Sequence, residues 1–283
     1  MSRRELLGCG VGLAGGVAIT GCTARGDDAV TVLAAGSLQH ALATRFREQV
    51  GEAVQLEAHG SAACAQLVAE GLRDPDVLAL ADPVLFDGLT DTYTAFATNA
   101  LVVAHTETTA VGRRIGSATV PLNPLFDDSA RFGRTDPDAD PLGYRTLFAF
   151  RSAREEWGRE YPRLLEPGQL FPETELLTVA ETGALDAVIA YRNMAVDHGV
   201  PFRTLPPTVD FSAPRLADRY SRYEYELPSG TVVEGAPITY GAALRHETPA
   251  AQTAFQTLVG GDWLGPGFDV PRSFPVVRDL GRR

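Results

Sequence analysis

Two short turns in this sequence carry the residues needed to hold an anion. Gly36-Ser37 and Gly60-Ser61 each follow an apolar run that reads as a strand and precede a run with helical spacing. A serine at such a point offers its hydroxyl. The first N–H groups of the helix behind it are unpaired and lie at the positive end of the helix dipole. One such turn is an ordinary structural cap. Two at successive strand ends of one parallel sheet bring their donors to the same carboxyl edge, where open α/β sheets take ligands. A third segment, Thr135 to Arg145, alternates aspartates at Asp136, Asp138 and Asp140. Calcium fits it poorly, because Pro141 stands where a calcium loop needs glycine and no late Glu closes the loop. The simpler reading is an acidic, solvated turn whose Asp140 caps the next helix.

Nucleophilic and metal chemistry finds little support. The cysteines are Cys9, Cys22 and Cys64, which build neither a disulfide framework nor a cysteine zinc site. Cys64 lies near His59, but a lone Cys on an alanine-rich helix reads as a small core residue. None of the five histidines falls in a ligand-spaced cluster. An esterase or transferase would need a nucleophile, a base and usually a metal, so the chain reads as a binder rather than an enzyme, with no cofactor expected.

The charge balance narrows the partners. The formal net charge is −11, and all 25 basic residues are Arg, with no Lys. No basic stripe is present for a nucleic acid or an anionic membrane surface. An acidic, Lys-free surface suits a halophilic source, although GC-rich coding would also remove Lys. An anion binder must therefore create a local donor-rich site inside a negative field.

The amino terminus reads as an export signal. Arg3-Arg4 opens a short apolar stretch to Ile19, too short to span a membrane. The stretch ends in Thr20-Gly21-Cys22, which resembles a lipobox with Cys22 as the acylated first residue of the mature chain. Residues 1–21 are thus expected as a signal peptide and residues 22–29 as a tether.

The elements that must position the turns follow an alternating pattern. Strands are expected at Ala29–Ala35, Ala53–Ala58 and Val77–Leu80, with helices at Leu38–Val50 and Ala62–Leu72 between them. This βαβ rhythm implies a parallel sheet flanked by helices. Further strands are expected at Ala100–Ala104, Leu185–Tyr191 and Ala236–Ala242, and helices at Gly143–Arg154 and from Thr248 to Val259. At 283 residues the chain can form two lobes. We expect residues 30–98 with 245–283 in the first and residues 99–244 in the second.

Together these segments resemble the archaeal-type molybdate/tungstate-binding proteins, the WtpA/ModA family. The resemblance runs through Ala35-Gly36-Ser37-Leu38, Gly60-Ser61-Ala62-Ala63-Cys64, Asp76 to Asp82, Phe96 to Asn99 and Gly133 to Arg145. It ends on Glu181-Thr182-Gly183-Ala184-Leu185-Asp186 and Tyr191. It implies a hinged, two-lobed α/β fold of the type II periplasmic-binding-protein kind, each lobe a mostly parallel sheet flanked by helices. It also implies a monomer that serves an ABC permease and its ATPase. By position, Ser37 and Ser61 would donate from the first lobe. The Leu142 N–H and Tyr191 would contact the ligand from the second, and Asp140 and Glu181 would approach the metal, with Asp138 as a substitute for Asp140.

Carboxylates facing an anion are informative. Against sulfate they meet like charge, which is unfavourable unless a proton is present. Molybdenum or tungsten in a tetrahedral oxyanion accepts two further oxygen ligands, and carboxylates are hard donors suited to that role. Phosphate, which can carry a proton of its own, is the alternative along with sulfate.

Overall fold

The computed structural model describes residues 29–161 and 169–281. The expected signal peptide, Cys22 and most of the tether lie outside the described residues. The strands are β1 (Ala29–Ala35), β2 (Ala53–His59), β3 (Val77–Leu80), β4 (Thr92–Thr98), β5 (Leu101–His105) and β6 (Phe132–Gly133). They continue as β7 (Ala187–Tyr191), β8 (Phe202–Thr204), β9 (Glu224–Glu226), β10 (Val232–Glu234), β11 (Thr239–Leu244) and β12 (Val276–Asp279).

The first lobe is a six-stranded sheet of order β12-β4-β11-β3-β1-β2. β1 runs parallel to β2 and to β3 in the register Val32–Leu56 and Val32–Val77. β1 and β3 are almost wholly buried, as continuous apolar strands covered on both faces should be. Helical residues 36–50, the helix Ser61–Ala69 and the helix Pro249–Gly260 pack on this sheet. The last of these begins as its sequence dictates. Thr248 accepts from the Ala251 N–H, Pro249 takes the first helical position, and Gly261 ends the helix at φ 79°.

The second lobe is a four-stranded sheet of order β6-β7-β5-β8 with a separate β9–β10 hairpin. Its largest helix, Pro141–Trp157, is capped by Asp140 and packs against β7 and the short helix Pro207–Asp210. Among the described residues no helix is long and apolar enough to cross a membrane.

Three features depart from the sequence reading. The sheets are mixed rather than mostly parallel: β11 is antiparallel to both β3 and β4, and β12 to β4, while in the second lobe only β6 and β7 pair in parallel. Residues 239–244, expected in the second lobe, form β11 inside the first sheet. The chain therefore returns to the first lobe just before β11 rather than after it. A strand's own pattern states that it is buried, not which partner buries it, so the return point was invisible locally. β4 and β12 were likewise not expected as strands.

Candidate functional site

The two Gly-Ser turns sit where β1 and β2 end. Ser37 is 3% exposed and Ser61 fully buried. The Ser61 Oγ accepts from the Ala81 N–H at 3.0 Å. A backbone amide can only donate, so the Ser61 proton is left to be given to something else. Within its helix the Ser61 and Ala62 N–H groups have no acceptor, while the Ala63 N–H is taken by the Ala139 carbonyl of the second lobe at 3.0 Å. Among the described residues the buried Ser37 Oγ has no hydrogen-bond partner, although it lies beside the Glu173 carboxyl and the Tyr240 hydroxyl.

The second lobe sets one acidic residue against each turn. A Cβ placed on Gly60 would fall 2.5 Å from the Asp140 Cβ and 2.4 Å from the Ala139 carbonyl oxygen. A Cβ placed on Gly36 would fall 2.8 Å from the Glu173 Oε2. Glycine is needed at Gly60 because backbone of the opposing lobe comes this close, while at Gly36 the nearest atom is the tip of the Glu173 side chain. Asp140 is 2% exposed and Glu173 4%. Asp140 Oδ1 accepts from the Thr135 hydroxyl at 2.8 Å and the Gly143 N–H at 2.9 Å, and the Leu142 N–H is directed at the same carboxyl. Burial outweighs these donors and pushes the Asp140 carboxyl up to about 7. Glu173 is raised well above the ordinary carboxylate range, first by burial and then by the Asp140 charge. The Ser37 hydroxyl and the Gly36 and Ser37 N–H groups are directed at this carboxyl, but among the described residues none reaches hydrogen-bond geometry with its oxygens.

Further contacts hold the lobes together over the site. Asn193 Nδ2 donates to the Ser37 carbonyl at 2.7 Å and is itself fixed by Asn99, at the crossing between lobes, through a 2.7 Å bond to Asn193 Oδ1. Tyr191 ends β7, is fully buried, and its hydroxyl accepts from Arg145 Nη1 at 2.8 Å. Beside the Ser37–Glu173 contact, a crevice of about 260 Å³ runs outward between the lobes, past Thr174, His40 and His198.

Of the residues expected from the sequence, Ser37, Ser61, Asp140 and Tyr191 are brought to the buried interface between the lobes. Leu142 is there too, with its N–H serving Asp140. Glu181 is a correction. It ends the helix Leu176–Glu181, its side chain is 39% exposed, and its Oε1 pairs with His198 Nδ1 at 2.6 Å. The carboxyl opposite Asp140 is Glu173, eight residues earlier. The only local signal for it is a Glu directly after Pro172 and before a helix, which alone is unremarkable. Asp138 is also excluded as a substitute, since it is exposed and accepts from the Tyr225 hydroxyl. Cys64 is core: its Sγ points at the Ala34 carbonyl, and burial pushes the thiol up to about 12, which keeps it un-ionised.

This arrangement suits a small ligand bearing its own oxygens. Among the described residues no group of three or more His, Cys, Asp or Glu is arranged to hold a bare metal ion. Two carboxyls, two serine hydroxyls and helix N–H groups do converge between the lobes. Residues 30–262 match the family model for bacterial extracellular solute-binding proteins, and the chain belongs to that family. It is a solute-binding protein that works outside the cytoplasm, built on the two-lobed α/β binding-protein fold. It is 45% identical to a Haloferax volcanii protein named as an ABC transporter molybdenum-binding protein, over 97% of this chain and 93% of the relative. It is 28% identical to the molybdate/tungstate-binding protein WtpA of Thermococcus kodakarensis, over 72% of this chain and 67% of the relative. Among solved structures, the periplasmic molybdate-binding protein of Azotobacter vinelandii superposes with a TM-score of 0.55 at 16% identity, covering 86% of this chain and all of the other.

Proposed function

We propose that this protein captures molybdate or tungstate between its lobes and delivers it to an ABC permease driven by its ATPase, as a monomer anchored to the outer face of the membrane through acylated Cys22. The observation that carries the reading is the pair of buried acidic residues, Asp140 and Glu173, each packed against one of the two Gly-Ser turns, Asp140 through its Cβ and Glu173 through its Oε2. The turns supply donors to the ligand's oxygens. The carboxyls would repel a simple dianion, but they can bind a tetrahedral metal centre that has room for two more oxygens. The names of the relatives from Haloferax and Thermococcus support the same ligand class. No cofactor is assigned, because the metal here is cargo.

A calorimetric titration with tungstate, molybdate, sulfate and phosphate tests this reading. We expect tungstate and molybdate to bind at least about 1,000-fold more tightly than sulfate, a difference of about 4 kcal/mol. X-ray absorption at the metal edge should show six oxygen neighbours in the bound state. Equal affinities, or a metal that stays four-coordinate, would overturn carboxylate coordination. Phosphate is included because a protonated Asp140 could donate to it; phosphate binding that excludes tungstate would replace the proposed ligand.

A further inference from the structure

Arg145 is 1% exposed and belongs to the helix Pro141–Trp157 of the second lobe, yet most of what it holds lies in the first. Its Nη2 donates to Asp82 Oδ2 at 2.8 Å and its Nη1 to the Ala81 carbonyl at 2.8 Å, both just beyond the end of β3. The neighbouring Tyr144 hydroxyl donates to the same Asp82 oxygen at 2.7 Å. Breaking these bonds would leave a charged pair short of partners, so they hold the lobes shut. The same Nη1 also donates to the Tyr191 hydroxyl oxygen at 2.8 Å.

A guanidinium has no acceptor, so in that bond the Tyr191 oxygen can only accept, and its own proton must go elsewhere. The Ala81 N–H imposes the same condition on Ser61. Ala81 thus meets Arg145 through its carbonyl and orients Ser61 through its N–H. A hydroxyl that has lost the freedom to accept is a better fixed donor to an anion.

We propose that Arg145 is a positioning residue: by gripping Ala81 and Asp82 across the lobes while donating to Tyr191, it makes the Tyr191 hydroxyl a dedicated donor to the captured oxyanion in the closed protein. The role rests on the oxyanion-binding reading given above.

A double-mutant cycle on the full chain, read as tungstate affinity by calorimetry, tests it. Tyr191→Phe should weaken binding about 10-fold, the loss of one hydrogen bond to a charged ligand. Arg145→Met should weaken it by at least about 10-fold. The double variant should bind within about twofold of Arg145→Met alone, because the hydroxyl counts only when Arg145 orients it. Paired with Ser37→Ala, by contrast, the Arg145→Met loss should multiply. If the Arg145 and Tyr191 losses multiply as well, Arg145 acts only as a structural clasp and the proposal is overturned. Should Arg145→Met fail to fold by circular dichroism, Arg145→Lys replaces it. Lysine keeps the charge facing Asp82 but has no fork to reach Tyr191, and the same two outcomes apply. A wild-type protein that binds no oxyanion would remove the functional reading and the proposal together. Binding with multiplied losses removes only the role of Arg145.

Discussion

The Asp140 carboxylate acts on Glu173, adding to the burial that already lifts the Glu173 carboxyl well above its ordinary range. The two groups reach the floor of the cleft from separate loops, one before the helix Pro141–Trp157 and one before the helix Leu176–Glu181. Each leans on a different glycine of the first lobe. Protons held on the two groups relieve their mutual repulsion. Ionised, they become two oxygen ligands for a metal centre.

Ligand affinity should therefore depend on pH in opposite ways for different anions. Coordination to molybdenum or tungsten needs ionised carboxylates, so binding releases protons. Tungstate affinity should rise about tenfold per pH unit, per proton released, as pH increases toward the Asp140 value of about 7, and level off above it. Sulfate needs the carboxyls protonated and should bind more weakly over the same rise. Calorimetry in buffers of different ionisation enthalpy would count the protons. A pH-independent tungstate affinity would argue against coordination.

The ligand-free protein should show the matching trend in stability. A carboxyl whose folded value lies above its unfolded value of about 3.9 binds its proton more tightly in the folded state. Its contribution to stability is present at the acid end and is lost as pH rises from about 4 toward 7. Thermal unfolding of wild type and Asp140→Asn across that range should diverge, with the variant lacking the part of the slope that Asp140 supplies. Parallel curves would count against a proton held on Asp140.

The choice between the two glutamates can be tested directly. Glu173→Gln should cost tungstate binding roughly 100-fold, about 3 kcal/mol, while leaving sulfate binding unchanged or tighter. Glu181→Gln breaks only a partly exposed pair with His198 and should change tungstate affinity by less than about threefold. Reversed results would return Glu181 to the site.

The serines should behave alike toward all oxyanions. Ser37→Ala and Ser61→Ala each remove one donor to a charged ligand, worth about 1.5–3 kcal/mol, for tungstate and sulfate equally. Ser61→Ala also strands the buried Ala81 N–H that its Oγ accepts from, and so should lower the thermal midpoint more than Ser37→Ala does. Titration and melting of both variants would separate the two effects.

Closure itself can be blocked at one atom. Gly60→Ala puts a methyl 2.4 Å from the Ala139 carbonyl, which belongs to the opposite lobe. Gly60 has a φ of −57° that alanine adopts freely, so the first lobe should fold as before. Tungstate affinity should drop by at least about 100-fold, and small-angle scattering should show an expanded molecule even with ligand present. A compact, tight-binding variant would mean that the lobes do not meet there.

Much of this protein was determined by sequence alone because the signals were local. Apolar runs set β1, β3 and β7, Asp140-Pro141 set the start of its helix, and the two Gly-Ser turns announced anion donors at the ends of two strands. Their pairing followed from the expectation that their strands are parallel neighbours, which β1 and β2 are. Only the tertiary structure decided which carboxyl faces Asp140. Glu173 and Glu181 lie on the same short stretch, and the helix that starts at Leu176 carries Glu181 out to His198 while leaving Glu173 against Gly36. The return of β11 to the first sheet and the grip of Arg145 on Asp82 were hidden for the same reason. Burial and long-range pairing arise where distant segments exclude water together, and no single segment records that partner in its own pattern.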